Sequence, residues 1–252
     1  FQMATFSFVG VELIGVTAGE TQDPRKTIPK AINSVPLRVL IFYVGSLFVI
    51  MSIIPWEKLD PEESPFVRLF SLIGIPFAAG VINFVVLTAA ASSCNSGIFS
   101  NSRMLFGLAN EDQAPPIFKS KNKHGVPNIA IIVSSMMLLI AALLNYIIPN
   151  ATLVFSYITT ISTVLFLFVW ALITIAYIRY ASQHPDEHQR AIYKLPGGKG
   201  MAYVVLGFFL TVFILLFINE TTRIAIFLTP IWFIILALMY WRYRKVKQQM
   251  DN

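Results

Sequence analysis

The sequence predicts an all-α, polytopic membrane protein with seven transmembrane helices, on three observations. The chain is 56 % hydrophobic and 13 % charged over 252 residues, whereas a soluble domain carries roughly 45–50 % apolar and about 25 % charged residues. Seven apolar stretches approach or reach the roughly 20 residues a helix needs to cross a bilayer. Lys and Arg fall almost wholly in alternate loops between those stretches, the asymmetry expected of a multi-pass chain.

The first span covers about residues 1–18 and is short. Its centre is Phe6-Ser-Phe-Val-Gly-Val-Glu12, continuing through Gly15 to Ala18. Two glycines and one carboxylate in so short a stretch predict a helix break at Gly10 and Gly15. Backbone groups freed there must face protein or a water-filled cavity, not lipid. The polar segment Gly19 to Lys30 follows, in which Asp23 ahead of Pro24 has the form of an N-cap and first helical residue. The second span runs from about 35 to 55, with Arg38 placed to snorkel.

Residues 56–76 are polar and Pro-rich and predict a short-helix lid. The third span, 77–100, ends in Ser92-Ser-Cys-Asn-Ser-Gly97, and a basic loop follows from Arg103 to Pro127. The fourth span is 128–148, and Pro149-Asn150 predicts a tight turn into the fifth, 153–180. The fifth is long enough to tilt or project from the membrane. A polar loop at 181–200 precedes the sixth span, 201–218; the seventh is 224–241, and Arg242 to Lys247 form a basic tail.

Alternating the loops between two sides sorts the basic residues cleanly. One side collects those in 25–38, 103–123, 179–199 and 242–247; the other has only Lys58, Arg68 and Arg223, and together they account for all 19 Lys and Arg. The positive-inside rule places the first group, and the C-terminus, in the cytoplasm. The same assignment puts Phe1 outside. The chain opens on Phe rather than Met, on an apolar stretch with no basic flank, so no secretory signal explains that start. An odd number of spans upstream would explain it.

The net charge of +6 is accounted for by these anchoring residues and predicts no nucleic-acid partner. A single cysteine, Cys94, leaves no internal disulfide. There is no Gly-rich phosphate loop ending in Lys-Ser/Thr, no nucleophile elbow and no zinc signature, so neither ATP use nor an enzyme is expected, and no cofactor. His184 and His188 have a spacing that imitates a metal pair, but Pro185 breaks the alignment in a solvated loop.

Glu12 is the one Asp or Glu within a predicted span. A carboxylate at bilayer depth is costly and marks a transport path or proton relay by default. Burial disfavours the charged form of a carboxyl group, so such a group can couple solute movement to a proton gradient; neutralising a substrate cation is a second use open to it, and a hydrogen bond to a neighbouring helix that only fixes packing is the plainer role. Phe6 lies on the outer side of the break. It is either packing or an aromatic gate that offers a cation–π face to an ammonium. Ser92, Ser93, Asn95 and Ser96 cluster in one span as possible polar lining, against the plainer role of helix packing with hydroxyls bonded back to their own helix.

Phe6-Ser-Phe-Val-Gly-Val-Glu12, with Ala18-Gly-Glu-Thr-Gln-Asp-Pro-Arg-Lys-Thr-Ile-Pro-Lys30-Ala, resembles the sixth helix and following loop of amino-acid permeases in the amino acid–polyamine–organocation superfamily. Ser92-Ser-Cys-Asn-Ser-Gly97, with Ser102-Arg-Met-Leu-Phe-Gly-Leu-Ala109 and Ala114-Pro115, resembles that family's eighth helix. Lys121-Asn-Lys-His-Gly-Val-Pro127-Asn resembles the entry to the ninth. The closest likeness is to the bacterial branch holding permeases of D-serine, D-alanine and glycine.

The resemblance covers nearly the whole chain. It implies helices six to twelve of a twelve-helix, inverted-repeat (LeuT-like) transporter in a bacterial plasma membrane, with five N-terminal helices missing. It also implies symport of small neutral amino acids with protons, substrate binding at Phe8, Val9 and Gly10, a gate at Phe6 and proton coupling at Glu12. The glycine-rich break of the family's first helix, which holds the substrate carboxylate, is absent here, so this segment alone is expected to be inactive. An amino-acid exchanger and a non-transporting membrane scaffold or subunit are the alternatives.

Overall fold

The structure is a computed structural model that describes residues 2–16, 18, 21–60, 63–148 and 150–250, and every regular element among them is a helix. The predicted turn at Pro149 and the first residue of the first span lie outside the described residues. The chain divides into two compact units: Phe1–Glu12, Asp23–Pro29 and Leu153–Asn252 form the first, Leu13–Gln22 and Lys30–Thr152 the second.

Among the described residues, five helices are long and apolar enough to cross a membrane: Pro24–Ile53, Ala79–Asn110, Leu153–Gln183, Gly198–Ile218 and Thr222–Lys245. At most 17 % of the residues in their apolar windows are covered by the rest of the chain. Contiguous apolar surface on that scale needs an apolar solvent, and lipid supplies it. Asn128–Leu144 is apolar but shorter, and the first apolar stretch is broken.

That stretch contains α1 (Gln2–Phe6) and α2 (Leu13–Val16), separated by six residues without regular helix. Next comes α3 (Pro24–Val39), which continues through a π-helical turn at Leu40–Gly45 into α4 (Ser46–Ile53). Helix therefore begins at Pro24, well before the apolar run that starts near 35. Proline suits this first position because its missing N–H would have no intrahelical partner there. The Asp23 carbonyl accepts the N–H groups of Lys26 and Thr27 at 3.1 and 3.0 Å, which closes the first turn.

The Pro-rich connection 56–76 holds a 3₁₀ turn at Trp56–Lys58 and α5 (Pro65–Leu72). Leu69 of α5 packs with Ile50 and Ile54 in a small core, with Leu59 and Phe70 alongside. The next helix, α6 (Pro76–Asn110), has 35 residues. At 1.5 Å per residue it is about 50 Å long, more than a hydrocarbon core of roughly 30 Å requires. Its last turns absorb the start of the predicted basic loop. The remainder of that loop is closed by Asn122, whose Oδ1 accepts the N–H groups of His124 and Val126, both at 2.9 Å. The sequence from Lys121 to Asn128 is thus a turn built around one amide.

Four further helices are α7 (Asn128–Ile147), α8 (Ala151–Gln183), α9 (Pro185–Arg190) and α10 (Gly198–Ile218). The last is α11 (Glu220–Met250), with Pro230 inside it. The loop predicted at 181–200 therefore contains a short helix, started by the same Pro185 that separates His184 from His188. The first unit has its core where α8, α10 and α11 meet: Val164 and Leu167, Val212 and Leu216, and Ile226, with Trp170 and Phe209 packed against them. The segment carrying Glu12 belongs to this unit.

Candidate functional site

The break begins where α1 runs out of regular hydrogen bonds. Ser7 N–H still reaches the Met3 carbonyl at 2.9 Å, but Phe8, Val9 and Val11 donate to Thr5, Phe6 and Phe8 at 3.1, 3.0 and 3.3 Å. These are three-residue steps, tighter than the α-helical four. Gly10 then takes φ +108°. A backbone at that angle is strained for any residue with a Cβ. No atom lies within 4 Å of where a Gly10 Cβ would stand, so glycine is needed here for its conformation and not for close packing.

The Gly10 N–H, which regular helix would have occupied, meets Glu12. Both carboxylate oxygens accept it, Oε1 at 3.0 Å and Oε2 at 3.1 Å. Oε2 also accepts the indole N–H of Trp170 from α8 at 3.3 Å. Glu12 is half-buried. A carboxylate out of water needs hydrogen bonds from donors that favour its charge, and these two are what this unit supplies. The Phe8 carbonyl accepts the Val11 N–H at 3.3 Å.

The opposite end of α1 is held by the same helix. Gln2 donates its side-chain amide to Thr159 Oγ1 at 2.7 Å and to the Ser156 carbonyl at 3.1 Å. Thr159, Thr160 and Thr163 are buried, and each returns its hydroxyl proton to a carbonyl one turn earlier, at 2.7–2.8 Å. Thr159, Thr163, Phe166 and Trp170 recur at spacings of three and four and so line one face of α8. That face is polar toward Gln2 and aromatic toward Glu12. Trp170 is steadied by Phe166 and Phe209, with ring centroids 6.1 and 6.0 Å away.

The other expected residues are placed as follows. Phe6 ends α1, half-buried; Phe8 is 39 % exposed in the break. Val9 sits between them and Gly10, half-buried. Gly15 is helical, inside α2, and has no atom within 4 Å of a would-be Cβ; the non-helical segment is centred on Gly10 alone. Ser92, Ser93 and Asn95 are exposed residues of α6 in the second unit, and Ser96 returns its hydroxyl to the Ser92 carbonyl at 3.0 Å. Among the described residues no cluster of His, Cys, Asp and Glu has the makings of a metal site.

Gln2, Thr159 and Trp170 are partners that sequence reading did not pick out. A tryptophan amid an apolar span is a signal, because its N–H needs an acceptor when buried, but nothing local says which. A surface groove of about 490 Å³ contains none of the break residues. It is lined by Pro24, Arg25, Ile28 and Pro29 with Arg190 to Tyr193.

The chain resembles known proteins along its entire length. The profile of a family described as "Amino acid permease" matches residues 1–252. The chain is 52 % identical over 238 residues to the D-serine/D-alanine/glycine transporter of Escherichia coli strain K12, covering 94 % of this chain and 51 % of that protein. It is 47 % identical over 240 residues to amino-acid permease AapA of Bacillus subtilis strain 168, covering 95 % and 52 % respectively. It therefore spans about half the length of the curated relatives it matches. No solved structure matches it.

Proposed function

The chain belongs to the amino acid permease family, and from that premise we propose that it forms helices six to twelve of a twelve-helix, LeuT-like transporter that carries small neutral amino acids with protons. The family and its relatives are transporters rather than enzymes, and the chain is a multi-pass membrane protein. In this reading five further helices precede these seven in the complete transporter, the C-terminus is cytoplasmic and the membrane is a bacterial plasma membrane. The seven spans are the broken first stretch, the five long helices and α7.

The observation that carries the reading is the break itself. A helix interrupted at Gly10, with a carboxylate satisfied by the freed N–H and an indole, sits where a membrane chain tolerates irregular backbone only if it lines a cavity. Broken helices of this kind hold substrate and coupling ion near the bilayer midplane. In this account the carbonyls of Phe8, Val9 and Gly10 receive the substrate ammonium. Phe6 covers the substrate, and Glu12 takes and releases the proton. Ser92, Ser93 and Asn95 are proposed as polar lining from α6. The names of the relatives favour glycine, D-alanine and D-serine as substrates.

The test is uptake of radiolabelled glycine into proteoliposomes. With the complete transporter, an inside-alkaline gradient is expected to drive accumulation, and excess D-alanine or D-serine to suppress it. With residues 1–252 alone, uptake stays at the level of empty vesicles, because the other half of the site is missing. Uptake indifferent to the gradient favours an exchanger, and uptake by residues 1–252 alone overturns the half-site account.

A further inference from the structure

The segment from Gln2 to Glu12 is fastened to α8 at both ends, and the two fastenings differ in kind. At Gln2 the contact is between neutral groups, amide to hydroxyl at 2.7 Å, with a second bond to a carbonyl at 3.1 Å. At Glu12 the acceptor is a carboxylate and the donor the Trp170 indole, at 3.3 Å. Thr159 and Trp170 lie about three turns, or roughly 16 Å, apart along α8. The helix thus runs as a splint beside α1 and the break. Glu12 is also the last residue of its unit before the chain passes to the other at Leu13.

A neutral fastening does not respond to protons. One that ends on a carboxylate does: its bond depends on the acceptor's charge, and charge-assisted hydrogen bonds are roughly twice as strong as neutral ones. At 3.3 Å the Trp170 bond is longer than the 2.7–2.9 Å common for charge-assisted pairs, and it is the longest of the three described bonds between this segment and α8.

The geometry points to Trp170 as a positioning residue for Glu12: its indole N–H holds the ionised carboxylate in the break and releases it on protonation, while the Gln2–Thr159 contact keeps α1 in place. This inference rests on the reading of Glu12 as the coupling group and adds the partner through which its charge acts. Few other charges bear on the pair. Among the described residues the break contributes Glu12 alone. α8 carries Tyr157 and Tyr177, with Arg179 and Tyr180 toward its end. α10 meets Trp170 through Phe209, and its titratable groups, Lys199 and Tyr203, lie in its first turns. Trp170 touches no substrate in this account; it sets where Glu12 waits.

Two measurements on the complete transporter test the inference. Trp170→Phe keeps an aromatic ring between Phe166 and Phe209 and removes the donor together with part of the indole's bulk. Losing one hydrogen bond to the ionised form moves the pH of half-maximal glycine uptake upward by about one unit. In a Glu12→Gln background, which retains only exchange, the same substitution changes glycine exchange by less than about twofold, since no charge remains to be held. A midpoint that does not move in the first case overturns the inference, and so does an equal loss of glycine exchange in both backgrounds.

The second measurement does not depend on transport. With every other tryptophan of the transporter replaced by Phe, Trp56, Trp232 and Trp241 among them, emission from Trp170 is followed against pH. A titrating shift that disappears with Glu12→Gln is expected. If it is seen while uptake proves independent of the proton gradient, the proposed coupling fails and the Trp170–Glu12 switch stands. If uptake is coupled through Glu12 and the emission never shifts, the coupling stands and this inference is overturned.

Discussion

Replacing Glu12 by Gln in the complete transporter is expected to abolish gradient-driven accumulation and leave exchange intact. The amide has nearly the shape of the carboxylate, and its oxygen still accepts the Gly10 N–H, so the break survives. What it cannot do is cycle a proton. One pH unit corresponds to about 1.36 kcal/mol, which is a tenfold concentration ratio. A transporter moving one proton per substrate therefore sustains about a tenfold glycine gradient per pH unit, and the Glu12→Gln variant a ratio near one. Labelled glycine preloaded in vesicles should still leave when unlabelled glycine is added outside. Accumulation that persists in the variant would remove Glu12 from the coupling step.

Gly10→Ala carries the second large effect. At φ +108° a Cβ is strained, at about 1–3 kcal/mol for such conformations, even though the space around it is open. If that strain falls on the transport-competent break, uptake drops roughly 5- to 150-fold. Gly15→Ala is the matched control. Gly15 is helical with open space about it, and alanine is favoured over glycine in a helix by about 1 kcal/mol. Its uptake should match that of the parent, with an equal or higher thermal midpoint in detergent. Equal losses from the two substitutions would mean that close packing, not the bend at Gly10, is what these glycines serve.

The two glycines also mark how far the sequence could be read. Gly10 and Gly15 look alike in a one-dimensional string, both in an apolar stretch beside Glu12. Only the backbone angle separates them, and that angle is fixed by where Glu12 can reach a free N–H. Helical character was legible from hydropathy and so was the rough position of each apolar stretch, because both follow from composition over about 20 residues. The ends were less legible. Hydropathy measures apolarity and not hydrogen bonding, so the polar first turns of α3 at Pro24–Lys30 and the last turns of α6 past Ser100 lay outside the apolar windows.

The candidate site was legible in part for the same reason. Glu12, Gly10 and the flanking phenylalanines are within a few residues of one another, and a break with an acid can be inferred from that proximity. Trp170 and Gln2 take part through contacts across more than 150 positions. Trp170 reads as one aromatic among many in α8, and Gln2 as a polar residue near the chain's start. Their roles follow from buried polar groups needing partners, a rule that the folded chain satisfies at particular places and that no local pattern announces.

Whether a proton travels with each substrate molecule is read by following both movements together. In lightly buffered proteoliposomes holding the complete transporter, with no imposed pH gradient, external glycine is added and the external pH followed. The account predicts alkalinisation in step with glycine entry, and no pH change with the Glu12→Gln variant. Glycine entry without alkalinisation, or the same alkalinisation with Glu12→Gln, would contradict it.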